Sequence, residues 1–96
     1  MRIRLLATAL FALPLGATAQ DARSLAATCA NCHGPSGRSV TTEVTALAGM
    51  PKEQIAQRMR EFKEGKRPAT IMHQLAKGYT DQQIDLIADY LAGQKR

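Results

Sequence analysis

The sequence predicts an all-α domain of about four helices, and three observations carry that expectation. Apolar residues recur at helical spacing, as in Ile55, Met59 and Phe62 and again in Ile84, Ile87, Ala88 and Leu91, the rhythm of one buried helix face. The β-branched stretch Val40-Thr41-Thr42 has no second strand candidate to pair with, so a sheet is not expected. The helices also have one evident centre, the motif Cys29-Ala30-Asn31-Cys32-His33. C-x-x-C-H is the attachment signature of a c-type haem. Two thiols a helical turn apart can reach the two vinyl groups on one porphyrin edge, and the adjoining histidine then lies beneath the iron as an axial ligand.

Other chemistries use the same residue types. A bare C-x-x-C can be a redox disulfide, but that reading expects a βαβ setting, which this sequence lacks. Cys29, Cys32, His33 and His73 could supply four zinc ligands, yet adjacent Cys32 and His33 can rarely both reach one tetrahedral ion. A structural disulfide within three residues would be strained.

The first 19 residues read as a leader rather than as part of the domain. Arg2 and Arg4 are followed by an apolar run from Leu5 to Leu15 and then by Ala17-Thr18-Ala19, the pattern of a secretory signal with an A-x-A cleavage site. An uncleaved anchor is the alternative, and Pro14 and Gly16 argue against it. The expected division is therefore 1–19 as a cleaved signal peptide and 20–96 as one periplasmic domain without stable membrane insertion. The 77 residues that remain form a small core, and a chain of that size usually needs a cofactor or other staple. A buried porphyrin would supply the missing apolar volume.

The 96-residue chain carries a net charge of +5, but without Arg2 and Arg4 eleven basic and eight acidic residues leave +3. Two ionised propionates would lower that to about +1, which makes nucleic acid an unsuitable partner. A local run, Lys63, Lys66 and Arg67 followed by Lys77, is either a rim that steers an acidic partner or a solvated helix end.

In chain order, Asp21 is placed to cap a first helix from Ala22 to about Ala30, and Gly34, Pro35 and Gly37 break it directly after His33. Arg38 to Met50 reads as a loop on the proximal side of the haem. Pro51 opens a second helix that buries Ile55, Met59 and Phe62 and ends at Gly65. Pro68 opens a third, through Ala69 to Lys77, with Gly78 as its stop. Thr80-Asp81-Gln82-Gln83 is a capping box for the last helix, which buries Ile84, Ile87, Ala88 and Leu91 and ends at Gly93.

A methionine opposite His33 would make the iron an electron carrier. Met59 shares an apolar face with Ile55 and Phe62, so packing is its expected role. Met50 stands in a Gly-Met-Pro turn, where it is either loop filler or a ligand. Met72, forty residues beyond Cys32 and just before the closing helix, is the expected distal ligand. Its neighbour His73 could instead give a bis-histidine haem of lower potential, but it would point about 100° away on a helix, so only one of the two can face the iron. His73 is expected as a partly exposed residue near the haem edge.

Together, Cys29 to His33, the returning methionine and the closing helix resemble a class I cytochrome c. Phe62-Lys63-Glu64-Gly65-Lys66-Arg67-Pro68-Ala69-Thr70-Ile71-Met72 and Ala76-Lys77-Gly78-Tyr79-Thr80-Asp81-Gln82-Gln83-Ile84 are similar, more narrowly, to the cytochrome subunit of flavocytochrome c sulfide dehydrogenases. The resemblance runs from about Leu25 to Leu91. It implies haem thioethers on Cys29 and Cys32, iron ligation by His33 and Met72, and an FAD-containing flavoprotein that oxidises sulfide as the electron donor, with a downstream acceptor. Relatives usually have proline where this chain has Thr45, in a loop whose backbone carbonyl accepts a hydrogen bond from the proximal histidine; loop rigidity is the property this departure touches. Many members carry two haem domains, whereas this chain has room for one. On this reading the chain is an electron-transfer protein and not itself an enzyme. The alternatives are a free-standing shuttle resembling cytochrome c553, serving a terminal oxidase or reductase, and, without Met72 on the iron, a five-coordinate haem peroxidase or gas sensor.

Overall fold

The computed structural model describes residues 21–96 and, before them, Ala9 alone. The expected leader over 1–19 and its cleavage site lie, Ala9 apart, outside the described residues. Asp21 accepts the Ser24 N–H at 2.7 Å and caps α1 (Ala22–Ala26). The chain continues through a 3-10 turn (Ala27–Cys29) into α2 (Ala30–His33). Backbone angles stay right-handed helical at Ala26, Ala27, Cys29 and Ala30, so these segments form the single first helix foreseen, extended as far as His33. Gly34 ends it at φ +83°, where an added Cβ would lie 1.9 Å from the Arg38 carbonyl oxygen, so only glycine fits.

A second 3-10 turn (Pro35–Gly37) leads into an irregular loop from Arg38 to Met50. Next, α3 (Lys52–Lys63) starts after Pro51 and buries Ile55, Ala56 and Met59. Gly65 at φ +74° turns the chain away, with the Lys66 N–H bonded to the Glu61 carbonyl at 2.8 Å.

The third expected helix starts later than its sequence suggests. α4 is Met72–Lys77, and Ile71, at φ −138°, is still outside it. Arg67, just before Pro68, offers no capping oxygen and extends back to Glu61 at 2.9 Å. β-Branched Thr70 and Ile71 add little helix propensity. Residues 66–71 therefore form a connection that delivers Met72 as the first residue of its helix. α5 (Asp81–Ala92) carries the full capping box between Thr80 and Gln83 and buries Ile84, Ile87, Ala88 and Leu91.

α3 packs on α5 and on α4, and α1 packs on α5. Their shared core contains Leu25, Ala26, Ile55, Ala56, Met59, Ala76, Ile84, Ile87, Ala88 and Leu91, of which the largest fully buried side chains are Ile84, Ile87 and Leu91. Each of those three stabilises the fold by about 1.5–3 kcal/mol. Arg60 to Asp85 at 2.6 Å and Lys52 to Asp89 at 3.7 Å join α3 to α5 at the surface. Among the described residues there is no strand, and no helix is long and apolar enough to cross a membrane.

Candidate functional site

Cys29 closes the 3-10 turn, and Cys32 and His33 end α2. Three residues apart on a helical rod, the two cysteines share one side. Both thiols are free, Cys29 half-buried against the core and Cys32 exposed. Burial pushes the Cys29 thiol up from its ordinary value. A thiol held protonated is the opposite of the low-pKa thiolate that a C-x-x-C oxidoreductase requires. Among the described residues no three His, Cys, Asp or Glu side chains gather to hold an ion, so Cys29, Cys32, His33 and His73 do not assemble the zinc alternative.

His33 is held by the loop behind it. Its Nδ1 lies 2.6 Å from the Thr45 carbonyl oxygen. A carbonyl only accepts, so Nδ1 carries the proton and the Nε2 lone pair is left available. Thr45 therefore supplies the backbone acceptor even though it is not proline.

The loop is pinned at both ends to keep that carbonyl in place. The Gly37 carbonyl accepts the N–H groups of Leu47 at 2.8 Å and Ala48 at 3.1 Å, and the Gly49 N–H donates to the Leu91 carbonyl at 3.0 Å. Gly37 sits so close to α5 that a Cβ would meet Leu91 Cδ2 at 2.9 Å. The Arg38 Nε donates to the Lys95 carbonyl at 2.7 Å, a further tie to the C-terminal segment.

Of the methionines, Met59 is core, at 7% exposed. Met50 and Met72 are half-buried at the core's edge, together with Cys29, Leu47, Phe62, Tyr79 and Tyr90. Cys29 and Met72, distant in sequence, thus border the same core, and His73 beside Met72 is also half-buried. Ile71 and Leu75, on either side of Met72, are about half exposed at 53% and 47%. A small core ringed by half-covered apolar side chains, with paired thiols and an oriented imidazole, fits a flat apolar group attached through sulfur and ligated by nitrogen.

Two shallow cavities adjoin these residues. One of about 450 Å³ lies behind the loop, between Arg38, Thr45, Met50, Gln54 and Arg96. The other, of about 410 Å³, is lined by Leu25, Thr28, Leu75, Gly78 and Tyr79, where α1 faces α4.

The basic run differs from a free cationic rim. Lys66 pairs with Glu64 at 2.8 Å, Arg67 with Glu61 at 2.9 Å, and Lys63 with Asp81 at 3.6 Å. Lys63 also donates to the Tyr79 carbonyl at 2.7 Å. Local acids neutralise most of the field that would steer an acidic partner. The solvated-helix-end reading is the one that matches these contacts.

Sequence reasoning missed one contact close to the motif. The hydroxyls of Thr28 and Tyr79 lie 2.7 Å apart across 51 residues of chain, and no local pattern announces such a pair.

Comparison with known proteins adds an independent finding. A family model described as cytochrome c matches residues 19–95. The cytochrome subunit of sulfide dehydrogenase from Chlorobaculum tepidum is 41% identical over 66 residues, which is 69% of this chain and 59% of that protein. Cytochrome c4 from Pseudomonas aeruginosa is 37% identical over 70 residues, covering 73% of this chain and 35% of that protein. The thiosulfate dehydrogenase electron acceptor of Thiomonas intermedia is 33% identical over 94 residues, covering 85% and 43%. The chain thus spans between about a third and three-fifths of the length of these relatives.

Proposed function

The chain belongs to the cytochrome c family, and from that premise we propose that it works in the periplasm as the single-haem subunit that accepts electrons from an FAD-containing, sulfide-oxidising flavoprotein. Its cofactor is covalent haem c, which when bound supplies a reversible one-electron couple. In this reading residues 1–19 are removed on export, Cys29 and Cys32 carry the thioethers, and His33 and Met72 hold the iron.

The observation that carries the reading is the 2.6 Å bond from His33 Nδ1 to the Thr45 carbonyl. It fixes the imidazole tautomer, aims Nε2 away from the loop, and raises its basicity as a ligand. With haem bound, Met72, at the edge of the core, would join His33 in holding the iron, and a site filled by two protein ligands would relay electrons rather than bind small molecules. The half-covered apolar side chains around the core would pack against the bound porphyrin. A sulfide-dehydrogenase partner is supported by the name of the Chlorobaculum tepidum relative, a cytochrome subunit of sulfide dehydrogenase; that this partner carries FAD is part of the proposal. A free shuttle is the second reading, favoured by the ion-paired state of Lys63, Lys66 and Arg67, which leaves a weak field for docking.

The test is direct. The exported protein should have the mass of residues 20–96 plus one haem, and its oxidised form should show the methionine–iron charge-transfer band in the red. Met72→Ala should abolish that band. A native protein without the band rules out Met72 ligation. Co-purification with an FAD protein, its flavin reduced by sulfide, supports the complex; a cytochrome purified alone that exchanges electrons rapidly with an oxidase favours the shuttle.

A further inference from the structure

Thr28 immediately precedes Cys29, and Tyr79 follows Met72 by one short helix and Gly78. Their hydroxyls meet at 2.7 Å, the most favourable O–H···O separation. Tyr79 is itself held on several sides. Its N–H donates to the Ala76 carbonyl at 3.2 Å, its carbonyl accepts the Lys63 ammonium at 2.7 Å, and its ring packs against the core. Lys63 in turn reaches Asp81 at 3.6 Å, at the start of α5. Tyr79 is thus the point where the end of α3, the α4–α5 junction and the helix bearing Cys29 come together.

The place of this bond gives it consequence. α3 packs closely on α4 and on α5, and α1 packs on α5, but α1 and α4 are not a closely packed pair. Between them lies the 410 Å³ cavity, with Leu25 and Thr28 on one wall and Leu75 and Tyr79 on the other. The Thr28–Tyr79 hydrogen bond spans that gap. We propose that Thr28 and Tyr79 form a latch that holds the Met72 helix against the Cys29 helix and thereby sets how firmly Met72 occupies the iron's distal position. The two are positioning residues acting through Met72. The proposal rests on the reading of Met72 as the distal ligand.

A latch of this kind controls the rate and extent to which the distal methionine leaves. A net hydrogen bond of ordinary strength corresponds to about a five-fold change in an equilibrium. In the oxidised holoprotein, titration with imidazole monitored by loss of the methionine–iron band measures methionine displacement. Tyr79→Phe and Thr28→Val should each raise the apparent imidazole affinity about five-fold, and the double variant should do no more than either alone, because both remove the same bond. Thr28→Ser keeps a hydroxyl and should restore the native affinity. Unchanged imidazole binding in both single variants, with the band intact in the native protein and absent from Met72→Ala, overturns the latch and leaves the distal-ligand reading standing. Additive effects in the double variant also overturn it, since they show two unconnected roles. If the native band is missing, or survives Met72→Ala, the distal-ligand reading fails and the latch with it.

Discussion

At the residue scale, the positions that matter most around His33 contribute backbone geometry or a single polar atom. Gly34 needs its positive φ, and a Cβ there would run into the Arg38 carbonyl oxygen at 1.9 Å. Gly34→Ala should therefore destabilise the folded protein by more than about 2 kcal/mol, through clash and left-handed strain together; denaturant unfolding of the holoprotein measures it. Glu61 gives a pH prediction. Its hydrogen bond from Arg67, reinforced by one from Gln57, holds its carboxyl below the usual value. A lowered folded pKa stabilises above the unfolded pKa, and that contribution is lost as pH falls through the folded one. The stability difference between the native protein and Glu61→Gln should thus close on acidification below about pH 4. Glu61 is solvated, so the effect is a small shift in Tm, read by thermal scans across that range. Lys66 behaves oppositely: its bond to Glu64 raises its pKa, so its contribution is present below the ordinary lysine pKa and fades as pH rises through the raised value.

At the element scale, α5 is the helix that the sequence specifies most completely. Its cap is local, with the Thr80 hydroxyl accepting the Gln83 N–H at 3.1 Å and the Gln83 side chain accepting the Thr80 N–H at 2.9 Å. Thr80→Ala should cost about 1 kcal/mol, seen as a lower denaturant midpoint with an unchanged slope. The stripe Ile84, Ile87, Ala88 and Leu91 was legible for the same reason: it needs only the period of a helix and an apolar interior. Ile87→Ala should cost about 2–5 kcal/mol. α4 was legible only in part. Proline at the start of a turn marks where a helix is permitted, not where it begins; Ile71 is still non-helical at φ −138° and Arg67 is drawn back to Glu61, so the helix starts at Met72. Lys66 and Arg67 find their acids within six residues, but the pairing of Lys63 with Asp81 and the meeting of Thr28 with Tyr79 depend on how the helices turn relative to one another. No window of sequence contains that information, whereas the cysteine spacing and the adjoining histidine are complete within five residues.

At the scale of the whole molecule, stability and cofactor are one question. Three large side chains are fully buried and much of the remaining core is alanine, which is little for a domain of this length. A chain with Cys29→Ala and Cys32→Ala, unable to retain haem covalently, should lose its cooperative thermal transition and most of its near-ultraviolet circular dichroism. A sharp, native-like transition in that variant would show that the polypeptide core suffices alone. The contacts of Leu91 add a matter of timing. Gly37 rests against its side chain and Gly49 donates to its carbonyl, so the loop that holds His33 is braced by contacts that the last helix supplies. Both cysteines precede that helix in the chain, so in order of synthesis the thiols emerge before the part that completes the loop. On the proposed function, attachment to the sulfurs would not need a finished proximal side, and α5 would serve as the clasp that commits the histidine to its partner.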